Sequence, residues 1–420
     1  MFLTEITKKY ETEVSALMLV NYIACCRWSI LKKYNFMKIR RFIALAILGL
    51  YPGLSASQVP IRAMDVRIAE KVFDVTWYLD RVASWQLDSI EHKGLRHAGR
   101  EWTSATLFTG LIEMTKHSGG ARYTRYLESV GEQFDWKMYA DNYRYYADNY
   151  CVGQLYTWKY NRDKNIDYIA DFIRLADTLV SRPHSESLDW KNNIALREWA
   201  WCDALFMGPP ALSSIYKVTG NLQYLDLVDT LWWKTTDYLY NTKERLFYRD
   251  QSYFDKKESN GEDVFWSRGN GWVLAGLVRV LNDMPKDYKS RPRWEDLYRN
   301  MVQRIASLQQ HDGYWRTSLL DPERYPAKET SGTALFTYAI AWGINNKLIP
   351  SKDYETVVWN GWNALVDAVH PNGKLGYVQQ VGEAPGEVNY DDTEIYGVGA
   401  FLLAGNEVLK LAEKSSATEK

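Results

Sequence analysis

The segment Trp199-Ala-Trp-Cys-Asp-Ala-Leu-Phe-Met207 sets one carboxylate among aromatic and aliphatic side chains. Written as a helix, it puts Asp203 on one face with Trp199 and Met207, inside an apolar stripe. Burial favours the neutral form of a carboxyl group, and an acid still protonated near neutral pH can act as a general acid, worth about 10² to 10⁴ in rate. A buried aspartate that braces a neighbouring helix is the competing reading. Gly208-Pro-Pro210 follows directly, and two prolines in an apolar helix must kink or end it there, which could shape a pocket wall.

Two further segments carry related chemistry. Asp148 lies in Tyr145-Tyr-Ala-Asp-Asn-Tyr-Cys-Val-Gly-Gln154, after a loop and at the opening of an expected helix, so it is either a helix N-cap or a second functional acid. Two carboxylates facing one another across a pocket could share a water and a proton, which drives their pKa values apart. In Phe265-Trp-Ser-Arg-Gly-Asn-Gly-Trp272, glycines flank Asn270 and allow a tight turn into the next helix, with Arg268 pointing out of that turn between Trp266 and Trp272. An arginine matches a carboxylate with two parallel hydrogen bonds and an indole covers a sugar face, so the segment reads as a uronate site. An arginine clasped structurally between tryptophans is the alternative.

Other chemistries are missing from the sequence. There is no Gly-x-Ser-x-Gly elbow, no phosphate-binding Gly-x-x-x-x-Gly-Lys loop and no His-Glu-x-x-His. The six histidines include no pair at helical ligand spacing, which argues against a histidine-rich metal site. Lysine plus arginine (51) balances aspartate plus glutamate (52), so no electrostatic footprint favours nucleic acid or an anionic membrane. The excess of 18 tryptophans and 30 tyrosines suits both helix packing and stacking on sugar rings.

The elements that must position these residues are helical. About twelve amphipathic stretches recur, starting near residues 62, 99, 121, 146, 165, 198, 222, 266, 291, 329, 351 and 392. Strand-like alternation is confined to short loop segments such as Leu246-Phe-Tyr-Arg and Gly376-Tyr-Val-Gln. Ser118-Gly-Gly-Ala-Arg-Tyr123 and Thr219-Gly-Asn-Leu-Gln-Tyr224 each follow one apolar helix and open another, as a helical hairpin requires. Twelve helices in six hairpins imply an all-α fold closed into an (α/α)6 barrel, with a pocket at its axial mouth. The longest irregular stretches, 182–196, 240–265 and 312–328, are where binding groups are expected.

Met37 to Gln58 has the order of a secretory signal: basic Lys38, Arg40 and Arg41, an apolar run from Phe42 to Leu50, then Leu54-Ser-Ala56 before Ser57. The expectation is an exported, periplasmic or secreted protein with an upstream extension at 1–36, a signal peptide at 37–56 and one domain at 57–420. The apolar run is short for a bilayer, so no stable membrane insertion is expected. Of four cysteines, Cys151 and Cys202 lie in the domain, as buried thiols or as a single bridge.

In this order on a helical chain, WCDALFM, WSRGNGW and Glu329-Thr-Ser-Gly-Thr-Ala-Leu-Phe336 resemble glycoside hydrolase family 105, the unsaturated rhamnogalacturonyl and related glycuronyl hydrolases, over residues 62 to 413. The resemblance implies an (α/α)6 barrel with an unsaturated uronide at its mouth, Asp203 as catalytic acid and Asp148 as its partner at the water site. It also implies Trp201, Met207, Trp266, Arg268 and Trp272 as pocket residues, and no metal or organic cofactor. The implied reaction is hydration of a vinyl ether at the terminal sugar of pectin-like lyase products. An enzyme acting on another polysaccharide, such as glucuronan or ulvan, and a noncatalytic oligosaccharide-binding protein are the alternatives. One departure stands out: where family members commonly place a histidine ahead of the WSRG segment, this chain reads Tyr248-Arg-Asp-Gln-Ser-Tyr-Phe-Asp255. Asp250 or Gln251 is the expected substitute.

Overall fold

The structure is a computed structural model that describes residues 63–139, 146–193 and 197–417. The expected signal peptide and upstream extension lie outside the described residues. From Met64 onward the chain forms one compact unit.

Among the described residues, twelve helices of at least eleven residues alternate between two rings. The outer set is α1 (Ala63–Lys93), α3 (Ala121–Gln133), α6 (Ala170–Ser181), α9 (Leu222–Leu239), α11 (Arg291–Ser307) and α13 (Ser351–Asp367). The inner set is α2 (Trp102–Met114), α5 (Gly153–Asp163), α8 (Pro209–Thr219), α10 (Ser267–Asp283), α12 (Thr330–Asn345) and α14 (Ile395–Ala417). Two four-residue helices, α4 (Ala147–Tyr150) and α7 (Ala204–Met207), precede α5 and α8.

The sequence decides which ring a helix joins. In α11 the buried positions Trp294, Leu297, Tyr298, Met301, Val302 and Ile305 follow the three-and-four spacing of a single stripe, so one face meets the core and the other meets water. In α12 every residue from Thr330 to Ile344 is buried, which demands neighbours all round. The same reasoning explains α14. Its window Ile395–Lys414 is long and apolar enough to cross a membrane, yet 89% of it is buried inside the fold, as befits an inner helix. Each inner helix packs on the next inner helix in the chain, and α14 returns to pack on α2, so the ring closes.

Helix ends carry local signals. Asn221 caps α9 by accepting from the Gln223 amide at 3.2 Å. Pro209 and Pro210 occupy the first turn of α8, where a missing N–H costs nothing, and Gly220 ends that helix at φ +76°. The prolines therefore start a helix after a break at Gly208, and do not kink one. The only pairing strands among the described residues are β1 (Tyr240–Asn241) and β2 (Leu246–Phe247), antiparallel.

Candidate active site

Asp203 is not in mid-helix as the sequence suggested. Residues 197–203 run irregularly, because Trp201 forms an isolated antiparallel bridge with Asp250 and the Cys202 amide donates to the Arg249 carbonyl at 2.8 Å. Trp199 therefore shares no helical face with Asp203. Asp203 occupies the N-cap position of α7, with Met207 one turn further on. Asp148 is likewise not an N-cap: that position belongs to Tyr146, and Asp148 is the second residue of α4.

The two acids meet in a cavity of about 290 Å³ at the barrel mouth. Trp102, Tyr146 and Trp201 give it aromatic walls, Met207 and Arg249 join the two acids in lining it, and Val381, Gly382 and Glu383 form the remaining side. Tyr146 stacks on Trp201 with centroids 4.8 Å apart, and Trp190 meets Trp201 edge-on at 6.0 Å. A larger groove of about 680 Å³ runs between α1 and α13 on the outer face, away from these acids.

The electrostatics of the cavity follow from this crowding. Asp148 is partly open to the cavity but ringed by protein, and burial, followed by the charge of Asp203, pushes its carboxyl up to about 7. Burial also raises Asp203, while Arg249 and then Arg268 pull it back. Both carboxyls are thus raised, and the two arginines offset part of that rise at Asp203. Cys202 is a free, buried thiol, kept protonated by burial and by Asp203, and it donates to Asp203 Oδ2 at 3.5 Å. Cys151 is also free and buried, so the alternative of a bridge is not realised.

Trp266, Arg268 and Trp272 are buried and do not line the cavity. Gly269, Asn270 and Gly271 lie inside the first turns of α10, not in a turn before it. A Cβ on Gly269 would come 2.9 Å from Cys202 Sγ, so that glycine serves close packing. Arg268 Nη1 donates to the Gln379 carbonyl at 3.0 Å and Nη2 to the Gln380 carbonyl at 3.0 Å, with its guanidinium 4.3 Å over Trp266. Trp266 Nε1 donates to Gln379 Oε1 at 2.8 Å. Glu329, the buried N-cap of α12, accepts from the Ser331 and Gly332 amides and the Gln379 amide. These side chains therefore clamp the backbone of the loop whose residues 381–383 face the acids. Trp272 packs edge-on against Trp102 at 6.0 Å and against Phe206 at 4.8 Å, backing the cavity wall.

The sequence reading missed Arg249, Trp102, Tyr146 and the loop 368–394. Arg249 stood within the very segment noted for lacking a histidine. Asp250, the expected substitute, is fully buried behind it and accepts from Arg249 Nη1 at 2.6 Å and from the Ser252 amide at 2.7 Å.

Residues 78–412 match the family described as Glycosyl Hydrolase Family 88. The chain belongs to that family, and it is a glycosidase. It is 38% identical over 331 residues to an unsaturated 3S-rhamnoglycuronyl hydrolase of Formosa agariphila, covering 75% of this chain and 86% of that one. An enzyme of the same name from Alteromonas sp. is 33% identical, covering 84% of this chain and 91% of that one. A solved structure titled as a family 88 glycosyl hydrolase from Bacteroides vulgatus superposes with a TM-score of 0.73 at 32% identity, covering 80% of this chain and 99% of that one. One titled as a polysaccharide lyase gives 0.75 at 32% identity, covering 81% of this chain and 98% of that one. Structures titled as family 105, at 20% and 17% identity, share the fold, so the (α/α)6 barrel stands, and the family match with the two relatives above bears out the resemblance to glycuronyl hydrolases.

Proposed function

We propose that this glycosidase removes a terminal 4,5-unsaturated uronic acid from oligosaccharides left by polysaccharide lyases, by hydrating the vinyl ether of that sugar. The observation that carries this reading is a pair of carboxyl groups, both raised, in one aromatic-walled cavity that also holds an arginine. Asp203 gives its proton to C4, and the electron pair of the double bond forms the new C–H bond. The cation left at C5 is stabilised by the ring oxygen. Water adds its oxygen to C5 and passes a proton to Asp148 or to the now ionised Asp203, so the pair ends with the one proton it began with. The resulting hemiketal opens and releases the aglycone. Trp201 and Tyr146 supply flat faces for the sugar.

The sequence motifs pointed to an unsaturated galacturonyl group on rhamnogalacturonan. The two relatives of 38% and 33% identity, both named as unsaturated 3S-rhamnoglycuronyl hydrolases, support the alternative, an unsaturated glucuronyl hydrolase acting on another polysaccharide such as ulvan. Parallel digests of ulvan, glucuronan and rhamnogalacturonan decide between them, because hydration erases the near-ultraviolet absorbance of the double bond. The ulvan digest is expected to lose absorbance fastest; equal or faster loss from rhamnogalacturonan restores the pectin reading. The neighbour titled as a lyase favours one second reading, and a lyase would make absorbance rise on the intact polymer. We also propose export through the segment from Met37; a mature N-terminus well before Ser57 contradicts it.

A further inference from the structure

Arg249 is the guanidinium that lines the acid cavity among the described residues. It is fixed from behind. Nη1 donates to buried Asp250 at 2.6 Å, and the guanidinium lies 4.1 Å over the Trp190 ring. Towards Asp203 the picture differs: Nε is buried, has no hydrogen-bond partner, and stands 3.7 Å from Asp203 Oδ2. Nη1 lies 3.5 Å from Glu383 Oε2 on the rim. A buried N–H without an acceptor is unfavourable, and a ligand acceptor relieves it.

We infer that Arg249 is the specificity-determining residue that selects the carboxylate of the uronyl group, in the place where the resembled family commonly carries histidine. The inference rests on the vinyl ether reaction proposed above. In that substrate the carboxyl carbon and C4 are both bonded to C5, so they lie about 2.5 Å apart. A cation beside the acid that protonates C4 is therefore where a carboxylate must dock for C4 to meet the proton. Arg268, whose Nε also has no acceptor, does not fill this role, because it does not line the cavity and both its Nη atoms donate to loop carbonyls. Docking has a second effect. A bound carboxylate offsets the charge with which Arg249 pulls the Asp203 carboxyl down, so the donor holds its proton more tightly when the right sugar arrives.

The test compares an unsaturated uronyl disaccharide with its methyl ester, which has the same vinyl ether and no charge. Wild-type enzyme is expected to prefer the acid by on the order of 10²-fold in kcat/KM, the scale of a buried charge pair. The double variant Arg249→Gln, Asp250→Asn removes the carboxylate behind Arg249 together with the guanidinium and should cut that preference to about fivefold or less. Arg249→Lys, which keeps the charge and loses the fork, should retain part of it. Arg268→Gln should slow both substrates equally and leave the preference intact. Equal losses on acid and ester in both Arg249 variants, with the preference unchanged, overturn the inference and leave Arg249 a support for Asp203. A wild-type enzyme that hydrates both substrates without preference overturns it while the reaction stands. Failure to hydrate either one removes the reaction itself.

Discussion

Asp203 and Asp148 are both raised by burial, and the charges around each decide how far. Asp148 is raised to about 7, so it holds its proton below that pH and loses it above. Protonation of C4 consumes the proton of the pair, and kcat/KM should therefore be level below about pH 7 and fall about tenfold per unit above it. Asp203→Asn removes the donor, and the loss expected in kcat is about 10²- to 10⁴-fold. Because the charge of Asp203 is one cause of the Asp148 shift, the residual activity of that variant should break at lower pH. The same shift bears on stability. A folded pKa above the unfolded one favours the folded state below the unfolded value, and that contribution is lost as pH rises through about 7. Asp148→Asn should thus raise Tm by a few degrees at pH 8, and by less at pH 4, in paired thermal melts. Both acids stood out in the sequence because each lies among aromatic side chains, although the helical stripe expected around Asp203 does not form. Arg249 was not, because its meaning depends on Asp250 behind it, Trp190 beneath it and Asp203 across a bridge 49 residues away from Asp250 to Trp201.

At the scale of elements, the acids are held by short, irregular pieces wedged between helices. Helix α7 carries the Asp203 end of its segment against α10, and a Cβ on Gly276 would lie 2.2 Å from the Leu205 carbonyl. Gly276→Ala must therefore push α7 outward, with an expected loss of about 1–3 kcal/mol in denaturant melts and a drop in kcat as Asp203 moves. Behind Trp199, buried Glu198 accepts from His184 at 2.8 Å and pairs with Arg182 and Lys234. Burial opposes its charge, but His184 and then Lys234 pull Glu198 down to about 2, and the bond to Glu198 raises His184. Glu198 contributes above its ordinary carboxylate value and fails as pH falls through about 2. His184 contributes below its ordinary imidazole value and fails as pH rises through the raised one. His184→Ala should accordingly lower Tm more at pH 6 than at pH 9. Helix starts at Leu222, Arg291 and Ser351 were legible, since Asn221, Pro292 and Pro350 mark them locally. The stretch from 198 to 203 reads as helix yet is irregular, because pairing with a distant strand-like segment overrides its periodicity. Arg268 was misread for a similar reason: its carbonyl partners come 111 to 114 residues later.

At the scale of the whole molecule, the described helices form a ring, and a ring has a last joint. Here it is the contact of α14 with α2, where a Cβ on Gly399 would meet the Thr106 carbonyl at 2.3 Å and one on Gly110 would meet the Gly399 carbonyl at 2.6 Å. Twelve helices were legible as twelve amphipathic stretches, and their pairing into six hairpins implied the closed barrel, although the backbone contact that closes it joins helices nearly 300 residues apart. Gly399→Val should open that joint, with a loss of about 3 kcal/mol or more and a Tm drop on the order of 10 °C. The closed mouth brings acids from α4 and α7 together with a loop before α14, and the account of function depends on that meeting. We propose that the enzyme adds water across a double bond and does not simply cleave a glycosidic link. Incubation with lyase-derived unsaturated oligosaccharides in deuterium oxide tests it directly. The account expects loss of the near-ultraviolet absorbance with one deuteron placed at C4, in wild-type enzyme and not in Asp203→Asn. Release of a sugar that keeps its double bond and its absorbance would contradict it.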